Sequence, residues 1–175
     1  MSEKLDGFTN DDLLEVLDRQ KEVGIKYKTH FFAMFSHLFC TIAEEVINNF
    51  GDEGKKAIAN AVKKFGAERG RRIANLVKSL GKELTLKNFF IYSDLNTSET
   101  TKYKVKIIDG NLEITIRDCV FCNGCKEWDK LEYGKIYCEY IDESILKAYN
   151  PSLNFEITSI LTKGDKKCIQ RYITR

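Results

Sequence analysis

The sequence predicts an α+β fold, in which N-terminal helices pack on a C-terminal antiparallel sheet of about four strands. Apolar residues recur every three or four positions over roughly the first 80 residues, and every second position over much of the remainder. Helices grouped before strands are typical of this class. No linker or repeat divides the 175 residues, so we expect a single domain over 1–175. Its helical part is expected at 1–88, and its sheet part, which carries the cysteine cluster, at 89–175.

Composition excludes several classes of function. Hydrophobic residues make up 43% and charged residues 31%, which is typical of a globular protein. A formal net charge of +2 gives no strong field for nucleic acid, and no stretch approaches the ~18 apolar residues of a membrane helix. The N-terminus lacks the basic and apolar regions of a secretion signal. We therefore expect a cytoplasmic protein whose partner is a small molecule, not nucleic acid or a membrane.

Three helices are expected in the first half. The first follows Thr9, a weak capping residue, and the third keeps apolar spacing over about six turns up to Leu80. The second, at 29–49, is apolar nearly all round, which predicts a central, buried helix, covered by the sheet or partly by a second copy in a homodimer. Gly51 is expected to end it.

Gly66 and Gly70 lie one turn apart on the third predicted helix. Each costs a helix roughly 1 kcal/mol relative to alanine. Close approach of a neighbouring helix or a ligand would explain them, and the alternative is that they are merely tolerated.

Strand periodicity begins after residue 101. Asp109-Gly110 predicts a two-residue hairpin turn, because both turn positions need positive φ. The register then pairs apolar residues on one face: Ile107 with Leu112, Val105 with Ile114, and Tyr103 with Ile116. A second pair is expected at 153–158 and 167–173. Short helices are expected between the pairs at 122–133 and 142–149.

Six cysteines provide the candidate chemistry: Cys40, Cys119, Cys122, Cys125, Cys138 and Cys168. A reducing cytosol disfavours disulfides, so clustered thiols there bind metal or do chemistry more often. The three at i, i+3 and i+6 from Cys119 are close enough to converge on one ion, and the last two cysteines would complete the set. Zinc or an iron–sulfur cluster would suit such a site. The alternative is reduced thiols that are catalytic or merely packed.

Two further groups are candidates for the same site. His37 lies three residues before Cys40, although a histidine on an apolar helix is more often a hydrogen-bonded core residue. Arg69 and Arg72, beside Gly70, could clamp a carboxylate through planar bidentate contacts. The alternative for these arginines is a solvated basic face.

Several segments resemble the L-2-amino-thiazoline-4-carboxylate hydrolase-like proteins. They are FGDEG at 50–54, FGAERGRRI at 65–73, DCVF at 118–121, YCEYID at 137–142 and YNP at 149–151, with the segments 153–161 and 164–172. The resemblance implies hydrolytic opening of an aminothiazoline ring, with three cysteines carried over: Cys119, Cys138 and Cys168. Cys122 and Cys125 look like additions. By architecture, the fold also resembles vinyl-reductase-type small-molecule-binding domains.

Opening such a cyclic amidine adds water at the amidine carbon and expels the ring thiolate. This chemistry needs an activated nucleophile, a proton donor and a cation for the carboxylate. Cys119, at a strand-to-helix junction, is a candidate nucleophile with a lowered pKa. Alternatively, the three carried-over cysteines hold zinc and activate water.

The remaining roles are assigned to charged side chains. Glu139 or Asp165 would act as the general acid/base, and Arg69, Arg72 or Arg171 would hold the substrate's carboxylate. The competing hypothesis is a non-enzymatic sensor that binds a small molecule, or zinc or an iron–sulfur cluster, through its thiols.

Overall fold

A computed structural model describes residues 30–95 and 100–174. The elements are, in chain order, α1 (Phe31–Ser79), α2 (Leu86–Ile91), β1 (Thr101–Ile108), β2 (Asn111–Cys119), α3 (Val120–Glu127), α4 (Leu131–Tyr149), β3 (Asn154–Ser159), a 3₁₀ turn (Leu161–Lys163) and β4 (Cys168–Ile173). Helices precede a four-stranded antiparallel sheet, which confirms the predicted α+β class. The helix predicted after Thr9 lies outside the described residues. None of the described helices has the length and apolar character needed to cross a membrane.

The long helix α1 is broken at Gly51. This residue has φ 55° and ψ −132°, outside the helical region and accessible mainly to glycine. The prediction that Gly51 ends one helix before the next begins is confirmed. The break divides α1 into two segments, 31–50 and 52–79.

The segment 31–50 is buried on one side only. Its packed face carries small residues, including Ala33, Ser36 and Cys40, whereas Met34 and Leu38 are exposed. Small residues let neighbouring backbones approach closely, and Phe35 and Phe39 pack on the buried ring of Phe121. The prediction of a centrally buried helix is therefore wrong. A second copy of the chain over the exposed face remains a prediction.

The second segment of α1 packs tightly on α4 through its glycines. A Cβ on Gly66 would lie 2.8 Å from the Cβ of Ser144. A Cβ on Gly70 would overlap the carbonyl oxygen of Ile145 and lie 2.9 Å from the Cβ of Ala148. The expected close approach of a neighbouring helix is confirmed, and it explains why glycine stands at both positions.

The first hairpin forms with the predicted register. Asp109 and Gly110 have φ values of 51° and 76°, as a two-residue turn of this kind requires. The observed partners are Ile107 with Leu112, Val105 with Ile114, and Tyr103 with Ile116. The strand order is β1-β2-β4-β3, so β1 is an edge strand and β2 pairs with β4.

The segment between the two strand pairs differs from the prediction in its helix bounds. The helix expected over 122–133 ends at Glu127, and Asp129 then adopts a positive φ of 56°. Helix α4 begins at Leu131, eleven residues before the predicted start, and ends at Tyr149. Its apolar side packs on the sheet's inner face, and Leu146 and Tyr149 are almost fully buried.

Candidate functional site

A cavity of about 430 Å³ lies between the inner face of the sheet and the helices α1 and α4. Its walls are mainly apolar, with contributions from all four strands. The helical repeat of α4 and the alternation of β4 determine which of their side chains face the cavity. On α4 the residues at 137, 138, 141, 142 and 145 form one stripe, and on β4 alternate residues point inward: Cys168, Gln170 and Tyr172.

Asp142 supplies a carboxylate in this apolar wall. The side-chain amide Nε2 of Gln170 donates a hydrogen bond of 2.7 Å to its Oδ2. Burial raises the pKa of Asp142 to about 6, although the charge of Arg69 and the hydrogen bond from Gln170 both lower it. A carboxyl group with this pKa exchanges a proton readily near neutral pH, as a general acid or base must.

Arg69 supplies a cation at the same cavity. Its Nη2 lies 2.6 Å from Oδ1 of Asp94, and its Nε lies 2.9 Å from Oδ2. This bidentate geometry is the one that a ligand's carboxylate would use. The side chain of Arg69 is 16% exposed and that of Asp94 is 37% exposed, so the pair connects the surface with the interior. Among the described residues that line the cavity, Arg69 is the only lysine or arginine.

The structure brings the three predicted thiols together at the cavity wall. Cys119 comes from the end of β2, Cys138 from α4 and Cys168 from the start of β4, and all three line the cavity. The backbone N–H of Leu161 donates to the Sγ of Cys168 over 3.2 Å. The sequence therefore located these side chains correctly, although their catalytic role remains a prediction.

All three thiols are protonated at neutral pH. Burial raises the pKa of Cys168 to about 11, and it raises that of Cys138 well above the usual value. At Cys119 burial also raises the pKa, outweighing the backbone N–H groups of Cys122 and Phe121 at the start of α3. The lowered pKa expected for Cys119 is therefore wrong, because the helix terminus is weaker than desolvation here.

The other two predicted metal ligands do not complete a site. Cys125 lies with its Sγ 3.4 Å from that of Cys40, and hydrogen bonding within this pair, together with burial, raises its pKa. Cys122 is buried, and its pKa is raised to about 11. Within the described residues no group of three or more His, Cys, Asp or Glu side chains is arranged to hold a metal ion, so a zinc or iron–sulfur site is not supported.

His37 likewise lies outside the cavity lining. Its ring stacks on Trp128 with a centroid distance of 4.0 Å, and its Nε2 is 3.7 Å from a carboxylate oxygen of Glu127. It does not share a site with the cavity cysteines, which favours the structural interpretation of this histidine.

The two predicted acid/base residues do not line the cavity. Glu139 forms an ion pair of 2.8 Å with Lys163, and Oδ2 of Asp165 accepts a 2.7 Å hydrogen bond from the N–H of Ile160. Glu139 therefore lies outside the stripe of α4 that lines the cavity.

Two of the three predicted arginines also lie elsewhere. Arg72 pairs with Glu68 at 3.3 Å on the exposed side of α1, and Arg171 pairs with Glu113 at 3.0 Å on the outer face of the sheet. Neither lines the cavity.

Sequence reasoning missed Asp142, Gln170 and Asp94. A signal for Asp142 was present, because a carboxylate four residues after Cys138 lies on the same helical face. No local signal marks the other two, since Gln170 is 28 residues from its partner and Asp94 is 25 residues from Arg69.

Comparison with known proteins agrees with this architecture. The chain is similar to a trafficking protein particle complex subunit 3 from Naegleria fowleri, whose crystal structure shows it covalently bound to palmitic acid. The two share 14% identity with a TM-score of 0.50, over 81% of this chain and 93% of that chain, which shows a shared fold. No curated protein sequence matches the chain. The sequence profile of the L-2-amino-thiazoline-4-carboxylic acid hydrolases matches residues 30–172, so the chain belongs to that family.

Proposed function

We propose that the protein is a hydrolase that opens a cyclic amidine such as 2-amino-thiazoline-4-carboxylate in the cavity beneath the sheet. The observation that carries this proposal is the carboxyl group of Asp142, which faces the cavity with a pKa of about 6. Family membership supports the reaction class. The site provides the acid/base and the cation that ring opening needs.

A single carboxylate can carry out both proton transfers that ring opening requires. The ionised Asp142 accepts a proton from water while the water oxygen forms a bond to the amidine carbon. The bond between that carbon and the ring sulfur then breaks, and the protonated Asp142 returns the proton to the departing thiolate. Gln170 keeps the carboxylate oriented through its 2.7 Å hydrogen bond.

Arg69 holds the substrate's carboxylate in this scheme. Its guanidinium already presents two N–H groups in bidentate geometry to Asp94, and a substrate carboxylate would take the place of Asp94. The partly exposed position of Asp94 allows this exchange at the surface.

The experiment that tests the proposal compares Arg69→Gln with the wild-type protein. Hydrogen bonds to charged groups contribute about 1.5–3 kcal/mol, so the KM for 2-amino-thiazoline-4-carboxylate is expected to rise by about 10- to 100-fold. The ring-opened thiol is measured by chromatography.

Arg71→Gln is the matched control, since Arg71 lies on the same helix outside the cavity, pairs with Glu68 and is expected to keep the wild-type KM. Absence of ring opening by the wild-type protein, or equal KM values for both variants, contradicts the proposal.

We propose that the cavity thiols act as neutral wall groups and not as nucleophiles. Cys119→Ser, Cys138→Ser and Cys168→Ser are each expected to lose less than about tenfold in kcat, whereas removal of a covalent nucleophile costs far more. Iodoacetamide labelling at neutral pH, read by mass spectrometry, is expected to be slow at all three sites. A large loss of kcat together with rapid labelling at one of them would restore the catalytic-thiol hypothesis.

We propose a cytoplasmic location for this activity. All six cysteines are free thiols, which suits a reducing compartment.

A further inference from the structure

We infer that the natural substrate is an amphiphilic carboxylate whose apolar body is larger than a single thiazoline ring. This inference rests on the proposed function, because it keeps Arg69 as the residue that binds the carboxylate. It concerns the part of the cavity that a small ring acid would leave unfilled.

The size of the cavity supports this inference. Its volume of about 430 Å³ falls within the range of about 300–1,000 Å³ that is typical of sites for drug-sized ligands. A five-membered ring with one carboxylate occupies a small part of this space. Unfilled apolar space forfeits the favourable contacts that a matched ligand makes, so the ring alone is a poor fit.

The cavity is also elongated. Cys168 and Tyr172 both line it from β4 and are four residues apart, which corresponds to about 13 Å along a strand. Tyr137 and Ile145 both line it from α4, and eight helical residues correspond to about 12 Å. Two different elements thus indicate the same length, which suits an extended molecule.

Few charged side chains line this space. Among the described lining residues, the charged ones are Arg69, Asp94 and Asp142. Aromatic rings near the end of β4 form part of the remaining wall: Phe90 and Tyr172 have centroids 5.1 Å apart, and Phe89 lies 6.3 Å from Tyr172. Such walls stabilise a hydrocarbon body by removing it from water.

The edge strand provides a route for such a body. Tyr103 and Val105 on β1 line the cavity and are 45% and 48% exposed, so the cavity reaches the surface beside this strand. An apolar chain can lie along these side chains while its carboxylate contacts Arg69.

The test uses butanoate, hexanoate, octanoate and decanoate as probes, with binding to the full chain measured by isothermal titration calorimetry. Each buried methylene is expected to tighten binding by about fourfold until the cavity is full. The matched straight-chain alcohols are expected to bind more weakly than the acids. Affinity that is independent of chain length overturns the inference.

Val105→Trp is designed to narrow the cavity, and Lys104→Trp places the same side chain on the outer face of the same strand. Val105→Trp is expected to weaken decanoate binding by tenfold or more and to change butanoate binding little, whereas Lys104→Trp should leave both unchanged. Equal effects of the two variants on decanoate overturn the inference.

Hydrolysis of 2-amino-thiazoline-4-carboxylate is measured in parallel, because it separates the two proposals. Ring opening without any dependence of binding on chain length overturns the ligand class and leaves the proposed function standing. Length-dependent binding by a protein that leaves the ring intact overturns the proposed hydrolysis and supports the ligand class.

Discussion

Asp142→Asn is expected to lower kcat/KM for ring opening by about 10²- to 10⁴-fold, the range that a general acid or base contributes. The amide cannot accept a proton from water, but its oxygen can still accept the hydrogen bond from Gln170, so the geometry of the site is retained. In the wild-type protein, kcat/KM is expected to fall as the pH drops below about 6, where Asp142 becomes protonated.

The same substitution is expected to stabilise the fold at neutral pH. The pKa of Asp142 rises from 3.8 to about 6 on folding, so the folded protein favours the protonated form. Wild-type stability therefore falls as the pH rises from about 4 to about 6. Above that range the free energy of unfolding is lowered by the full amount, because Asp142 is ionised. Asparagine does not ionise, so the variant should gain about 2–3 kcal/mol in the free energy of unfolding at neutral pH and little near pH 4.

Urea unfolding at the two pH values measures this difference, and Glu139→Gln is the control. Glu139 lies on the same helix but is paired with Lys163 outside the cavity, so its replacement should retain turnover and bring no such gain in stability. If Glu139→Gln abolishes turnover while Asp142→Asn retains it, the acid/base assignment made here is wrong.

Gly70→Ala is expected to destabilise the protein by about 2 kcal/mol, although alanine is the better helix former by about 1 kcal/mol. The added Cβ would overlap the carbonyl oxygen of Ile145, and a backbone group cannot rotate away as a flexible side chain can. The two helices must separate, which loosens the packing around the neighbouring Arg69.

Thermal unfolding measures this effect, with an expected decrease in Tm of about 4–8 °C. Asn75→Ala, on the exposed side of the same helix, is the control and should leave Tm unchanged or slightly raised. Wild-type stability in Gly70→Ala would mean that α1 and α4 are further apart than the structure shows.

Features that depend on neighbouring residues were predictable from the sequence. The register of the first hairpin follows from the conformational demands of Asp109-Gly110 and the alternation of the strands beside it. The glycine break at Gly51 is likewise a local property. The fold class and the pairing of β1 with β2 could therefore be predicted from local patterns, whereas the three cavity cysteines were indicated by the family resemblance.

Tertiary structure alone decided which polar groups share the cavity and what their pKa values are. Asp142 meets Gln170 only because α4 packs against the sheet, and Arg69 meets Asp94 only because the segment that follows α2 lies beside α1. Cys125 meets Cys40 only because α3 packs on the first segment of α1. Burial, which raises the pKa of the cavity groups, depends on atoms from distant segments of the chain. Sequence spacing therefore predicts which face of an element a side chain occupies, but not what that face contacts.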